Sequence, residues 1–261
     1  LFERLHRLSS LQGTKNIVEM LHRQGRMHPS ICEFVNRNYY NGGLDAVPLP
    51  HQQEPLAFGT RPDDDRWTAF VAGTRMAFIS VQADEAEYYT KIESKQEQTK
   101  LAQGLPNVGD SSKSNKREAE TVARLIHTLC QLYSRSGIPF SPCKQIGIIV
   151  PFRAQIAMIR KALAERHIPD TADITIDTVE RYQGSQRDII IFSTTVSRPY
   201  QLSILSEPVM TDGREIDRKL NVALTRARKQ FFMTGNETLL RNCTAYRKFL
   251  DFLSKEQILR L

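Results

Sequence analysis

Ile146-Gly-Ile-Ile-Val-Pro-Phe-Arg-Ala-Gln155 decides the class of the fold. Ile146 to Val150 is a continuous apolar run with no polar alternation, the pattern of a strand covered on both faces. Pro151 ends it. From Arg153 to Glu165 the apolar positions shift to helical spacing through Ile156, Ile159 and Leu163. The same order then recurs. A strand is predicted over Ile174–Val179 and another over Asp188–Val196, after a turn at Gly184. An arginine-rich helix and a strand from Phe231 to Thr234 follow. Strands alternating with helices predict an α/β domain with a mainly parallel sheet flanked by helices.

The rest of the chain fits around this unit. Leu1 to Leu11 reads as a helix with Leu1, Leu5 and Leu8 on one stripe, and Ile17 to Leu21 as a short strand. Pro29 suits the first turn of a helix through Ile31, Phe34 and Val35 to Tyr39, which Asn41-Gly-Gly43 stops. Residues 44–75 are proline-rich with few periodic apolars, the composition of a surface excursion with short strands. Met76 to Val81 is a strand. Residues 84–114 are polar and read as a mobile loop. A helix is predicted from about Lys116 to Tyr133 and a loop over roughly 198–214. Tyr246, Phe249, Leu250 and Leu253 mark an amphipathic C-terminal helix. The chain shows no internal repeat.

Composition narrows the partners. A net charge of +7 over 261 residues favours a polyanion, nucleic acid before membrane. No apolar run approaches the roughly 20 residues of a spanning helix, and no signal-peptide pattern opens the chain. A cytoplasmic protein without membrane contact is expected. Cys32, Cys130, Cys143 and Cys243 are widely spaced and match no zinc pattern, so reduced thiols and no metal ligands are expected. The first residue is Leu1, not methionine, which reads as a piece of a longer protein.

The chemistry concentrates in Arg218-Lys-Leu-Asn-Val-Ala-Leu-Thr-Arg-Ala-Arg228, read as a short helix. Ala223 and Ala227 would share one face and permit close packing. Arg226 and Arg228 would point in nearly opposite directions. A permanently charged guanidinium fork aimed at a cleft suits the oxygens of a transferring phosphoryl group. The plain alternative is a solvated basic face. Ligands of open α/β sheets bind beyond the carboxyl ends of the strands. Pro151-Phe152-Arg153 and the stretch from Glu180 to Asp188 are therefore expected on one rim.

Three further segments precede the arginines: Gln24-Gly-Arg-Met-His-Pro29, Ile146 to Gln155, and Ile176-Asp-Thr-Val-Glu-Arg-Tyr-Gln-Gly-Ser-Gln-Arg-Asp188. With the arginine segment they resemble the C-terminal half of superfamily 1 helicases. The branch is the one that includes the nonsense-mediated-decay RNA helicase and its bacterial relatives. The resemblance covers about residues 1 to 240. It implies a second RecA-like domain over 15–261, of the phosphate-loop NTPase type but without its own phosphate loop. Residues 1–14 would be a linker or the tail of a preceding ATPase domain. It implies ATP with magnesium as the nucleotide, the magnesium held mainly by an N-terminal RecA-like domain of the same protein. Single-stranded DNA or RNA is the implied partner, tracked 5′ to 3′.

The resemblance also assigns residues. Arg226 matches the arginine that reaches the γ-phosphate, and Arg26 matches a second that approaches it. Two guanidinium groups beside one anion repel each other until the phosphate arrives, which would couple domain closure to nucleotide binding. Gln24, Gly184, Gln186 and Arg228 fall on the nucleotide side. Thr178, Pro151, Phe152, Arg153 and Gln183 fall on the nucleic-acid side. Three positions depart from the pattern. Gly25 replaces an aromatic that stacks on adenine, Val150 replaces a threonine, and Gln186 replaces a glutamate.

The sequence holds no Gly-x-x-x-x-Gly-Lys-Ser/Thr loop and no strand ending in paired Asp-Glu. The expectation is half of an ATP site, unable to hydrolyse ATP alone. The alternative is a non-enzymatic nucleic-acid-binding or scaffold module derived from a helicase. The three departures lean that way, and the intact Arg226 segment leans against it. A nuclease would need clustered acidic residues and lysine, a pattern absent here.

Overall fold

The computed structural model describes residues 22–81, 113–182, 184–211 and 214–261. The expected Leu1–Leu11 helix, the 1–14 tail, the Ile17–Leu21 strand, nearly all of the 84–114 loop and Gln183 lie outside them. In chain order the strands are β1 (Arg23–Gln24), β2 (Asp45–Ala46), β3 (Met76–Ser80), β4 (Ile146–Val150) and β5 (Thr175–Thr178). They continue with β6 (Arg187–Ser193), β7 (Pro208–Thr211), β8 (Arg214–Asp217), β9 (Ala227–Gly235) and β10 (Ile258–Arg260). Six form one sheet in the order β10-β3-β9-β6-β4-β5, every neighbouring pair parallel. The RecA-like α/β class read from the sequence stands.

Alternation along each strand sends side chains to two separate cores. Ile146, Ile148 and Val150 of β4, Ile189 and Ile191 of β6 and Phe232 of β9 face one side. There they meet the helices Arg66–Gly73, Lys116–Arg135 and Arg153–Glu165. Ile149, Ile190, Phe192, Phe231 and Met233 face the other, against the helices Pro29–Tyr39, Arg218–Leu224 and Thr244–Phe252. Phe34 anchors that second core, edge-on to Phe249 and Phe252 with both ring centroids at 5.3 Å. Such pairs add about 0.5–1.5 kcal/mol each beyond area burial. The helix after β4 packs on the first face and the short helix before β9 on the second. Neighbouring β4 and β6 thus send their connections to opposite sides.

Several elements differ from the sequence reading. Residues 44–75 hold two helices, Pro50–Gln53 and Arg66–Gly73, and one two-residue strand. Trp67, Phe70 and Val71 of the second helix are buried. Trp67 Nε1 donates to Thr128 Oγ1 at 2.8 Å, and the Arg124 guanidinium lies 4.2 Å from the Trp67 ring centroid. Four prolines upstream, the last at Pro62, hid so short a helical period. Residues 198–214 contain the helix Leu202–Leu205 and strand β7, which pairs antiparallel with β8. The arginine helix, capped by the Asp217 carboxylate on Leu220 N at 2.7 Å, stops at Leu224. Arg226 therefore lies in the link to β9, and Arg228 lies on β9 itself. Ala227 pairs with Arg187, so sheet pairing outcompetes another turn of helix. β6 ends at Ser193, because Thr195 takes a left-handed backbone at φ +62°. The edge strand β10 is too short to read from pattern. All four cysteines are free thiols, Cys32 buried and the other three half-buried. Among the described residues no helix is long and apolar enough to cross a membrane.

Candidate functional site

Parallel pairing fixes which residues share an edge. β6 and β9 begin together, with Arg187 opposite Ala227, and the residues just before them meet at the amino edge of the sheet. Arg187 N donates to Arg226 O at 3.1 Å and extends that pairing by one step. The turn after β1 docks on the same edge through His28 N to Arg228 O at 2.9 Å. Gln24 builds this turn from within. Its Oε1 accepts from Arg26 N and Met27 N at 2.9 and 2.7 Å, and its Nε2 donates to Met27 O. Gln24 thus shapes the loop that presents Arg26 and has its amide committed there. His51 Nε2 lies 3.0 Å from Arg26 O, and Gln52 Nε2 donates to Met27 O at 2.8 Å.

Arg26 then reaches the residues that the other motifs supply. Its Nε donates to Gln186 Oε1 at 2.9 Å and its Nη1 to Thr225 O at 3.0 Å. Arg226 turns its guanidinium back over the helix end, to Val222 O at 3.2 Å, Thr225 Oγ1 at 3.2 Å and Ser185 O at 3.5 Å. Burial first, and then the charge of Arg26, lower the Arg226 pKa below the ordinary guanidinium value. Among the described residues no carboxylate forms an ion pair with either arginine. Their acceptors are neutral carbonyls, an amide and a hydroxyl. Two cations near each other, with no counter-ion among the described residues, make a region of positive potential.

Arg228 differs. Its Nη1 pairs with Asp188 Oδ1 at 3.0 Å, and Lys229 bridges Glu54 and Asp188 at 3.0 and 3.7 Å. This guanidinium already has a carboxylate, so its geometry is that of an ion pair that fixes the start of β9. A Cβ on Gly25 would meet Leu49 Cδ1 at 3.0 Å, so Leu49 takes up part of the space an aromatic there would need.

Of the nucleic-acid residues read from the sequence, Thr178, Pro151, Phe152 and Arg153 lie at the opposite, carboxyl edge. Thr178 ends β5 opposite Val150, which ends β4. Its carbonyl accepts from Arg181 N and Tyr182 N at 3.1 and 3.0 Å. Pro151 is half-buried and Arg153 exposed, at the first residue of its helix. Phe152 is only 5% exposed, so its ring offers no open face for a base. Gly184 takes φ +86°, a left-handed value that suits glycine. The expectation of a single rim is therefore corrected. Val179 follows β5 at the carboxyl edge, whereas Gln186 precedes β6 and lies beside Arg26 on the amino edge, away from Pro151–Arg153.

A buried network supports the carboxyl edge, and the sequence reading missed it. Glu118, fully buried, accepts at Oε2 from Ser193 Oγ, Thr195 N and Thr234 Oγ1 at 2.8, 3.0 and 3.0 Å. Gln155 links Asn115 to Ser193. Burial outweighs these bonds and pushes the Glu118 carboxyl up to about 7. The Asn-x-x-Glu spacing at 115–118, a cap signature with Asn115 Oδ1 accepting Glu118 N at 3.0 Å, was the available signal. Among the described residues no group of three or more His, Cys, Asp or Glu side chains is placed to hold a metal ion.

Comparison with known proteins agrees with this architecture. The profile described as "AAA domain" matches residues 1–238, and the chain belongs to that family. Within it, the chain is a C-terminal domain of the superfamily 1 helicase branch recognised from its motifs. It is 30% identical over 245 residues to "Regulator of nonsense transcripts 1 homolog" of Arabidopsis thaliana, covering 92% of this chain and 16% of that protein. It is 28% identical over 242 residues to "DNA polymerase alpha-associated DNA helicase A" of Saccharomyces cerevisiae, covering 91% of this chain and 30% of that protein. "Putative helicase MOV-10" of Gallus gallus is 32% identical over 155 residues, 54% of this chain and 15% of that protein. The chain thus spans less than a third of the length of these relatives.

Proposed function

We propose that this chain is the second motor domain of an ATP-dependent nucleic-acid helicase, with residues 15–261 as the domain and 1–14 as tail or linker. On this reading the amino edge supplies Arg26 and Arg226 to the terminal phosphate of ATP, held between this domain and a preceding one. The carboxyl edge, through Thr178, Pro151 and Arg153, forms part of a track for a single strand of DNA or RNA. The observation that carries the reading is the pair of guanidinium groups on one edge with no carboxylate among the described residues to neutralise them.

The residues fit a triphosphate. Gln186 and Thr225 O hold Arg26 through one face of its guanidinium, and its charge stays available. Arg226 rests on neutral acceptors that an anion can displace at small loss. Magnesium, held mainly by the preceding domain on this reading, neutralises phosphate charge when bound. The arginines of this chain orient the terminal phosphate and stabilise charge that develops on its oxygens.

ATP turnover tests the division of labour. The 261-residue chain alone is expected to show none, and the longer protein that contains it to hydrolyse ATP. Turnover by the chain alone that survives further purification refutes the split site. Fluorescence anisotropy with a labelled single strand tests the track. Binding should be weak and fall steeply with salt, since phosphate contacts release counter-ions. Affinity that ignores salt contradicts it.

A further inference from the structure

Tyr182 lies four residues after Thr178, the last residue of β5, and its side chain reaches toward the amino half of β4. It is 1% exposed and lies over β4. A Cβ on Gly147 would stand 1.8 Å from the Tyr182 hydroxyl oxygen and 2.7 Å from Cζ. The ring therefore fills a notch that exists only because β4 carries glycine there. Among the described residues the hydroxyl has no hydrogen-bond partner. An unpaired buried hydroxyl is unfavourable, so the steric fit of the ring's end into the notch, not a hydrogen bond, seats it.

The same residue sets the turn that follows. Tyr182 O accepts from Ser185 N at 3.3 Å and from Ser185 Oγ at 3.0 Å. From this turn Ser185 O receives Arg226 and Gln186 Oε1 receives Arg26. We infer that Tyr182, seated in the Gly147 notch, is a positioning residue for the arginine pair. It sets the turn that holds Arg26 and Arg226 in register with each other. The inference rests on the proposed function only for what the pair binds.

The side-chain Nε–H resonances of arginine, read in the isotope-labelled 261-residue chain, test it. Gln186→Ala identifies the Arg26 signal by its loss of protection. Gly147→Ala, which evicts the ring, should speed exchange of the Arg26 Nε–H about ten-fold or more and shift its resonance. Tyr182→Leu, which withdraws the ring and adds no atom to the notch, should do the same, and it carries the test if Gly147→Ala does not fold. Tyr182→Phe, losing only the unpaired hydroxyl, should leave the signal unchanged. Arg241 and Arg260, whose Nε atoms bond to Glu237, are controls that a general loosening would move and this mechanism does not. An unchanged Arg26 signal in folded Tyr182→Leu overturns the inference. If the signal moves as expected while Arg226→Ala in the longer protein keeps normal ATP turnover, the positioning stands and the proposed function falls.

Discussion

Replacing Arg226 with alanine in the longer ATP-hydrolysing protein proposed above should separate catalysis from folding by a wide margin. The structure sets the stability side. The three hydrogen bonds of this guanidinium are 3.2, 3.2 and 3.5 Å long, all to neutral acceptors. Hydrogen bonds of this kind contribute about 0.5–1.5 kcal/mol net when well formed, and these are long and half-exposed. Their loss is offset by relief of the repulsion from Arg26 that lowers the Arg226 pKa. The net cost should be about 1 kcal/mol or less, a shift of roughly 2–4 °C in the melting midpoint of a domain this size. The catalytic side is far larger. Removing an arginine that stabilises charge on a transferring phosphoryl group lowers kcat by about 10³-fold or more, equivalent to about 4 kcal/mol. Nucleotide affinity should fall much less, because the contact is strongest in the transition state. Arg228→Ala is the contrast. It leaves Asp188 only the longer pair with Lys229 at 3.7 Å and should lower stability while leaving turnover near normal. Steady-state ATP hydrolysis and thermal unfolding of both variants decide the matter. Near-normal turnover in Arg226→Ala refutes the placement of this arginine in the ATP site.

Two further predictions concern the fold. The Glu118 carboxyl is raised to about 7 from an ordinary 4.5, so the folded state holds its proton more tightly than the unfolded chain. The resulting stabilisation is full below about pH 4.5 and lost as pH rises through about 7. Glu118→Gln, which cannot ionise, should gain stability relative to wild type from pH 5 to pH 8 in urea titrations; a constant difference contradicts the shift. Phe249 is fully buried between Phe34 and Phe231, with centroids at 5.3 and 5.9 Å. Phe249→Ala should cost about 3–5 kcal/mol, read as a lower urea midpoint, and a cost under about 1 kcal/mol would contradict that packing.

The sheet was legible because burial on both faces leaves uninterrupted apolar runs at β3, β4 and β6, and the Arg153–Glu165 helix was legible because its period is regular. The Arg66–Gly73 helix was not, since eight residues after a proline-rich stretch carry too few turns for a period to stand out. The arginine segment misled in a specific way. Leu-Asn-Val-Ala-Leu reads as helix and continues as helix locally, but pairing of Ala227 with Arg187 is a contact between residues forty apart. No local pattern encodes that competition. The partners of Arg26 escaped for the same reason, because a backbone carbonyl at Thr225 leaves no trace in side-chain chemistry. The assumption of one rim failed because it took the residues after β5 to stay where that strand ends.

The strand β10 lies beyond the last residue matched by the family profile, yet it occupies the outer side of β3. Leu261 N and Gln257 Nε2 extend its hold, bonding to Ser80 O and Met76 O. Without these few residues, Met76-Ala-Phe-Ile-Ser80 would present a bare row of amides and carbonyls along an apolar strand, a template on which a second molecule could add a strand of its own. Three residues ending in a charged Arg260 make a poor template by comparison. Residues 258–260 therefore act as the sheet's selvedge, and a chain trimmed after Leu253 should self-associate through β3 even where its core still folds.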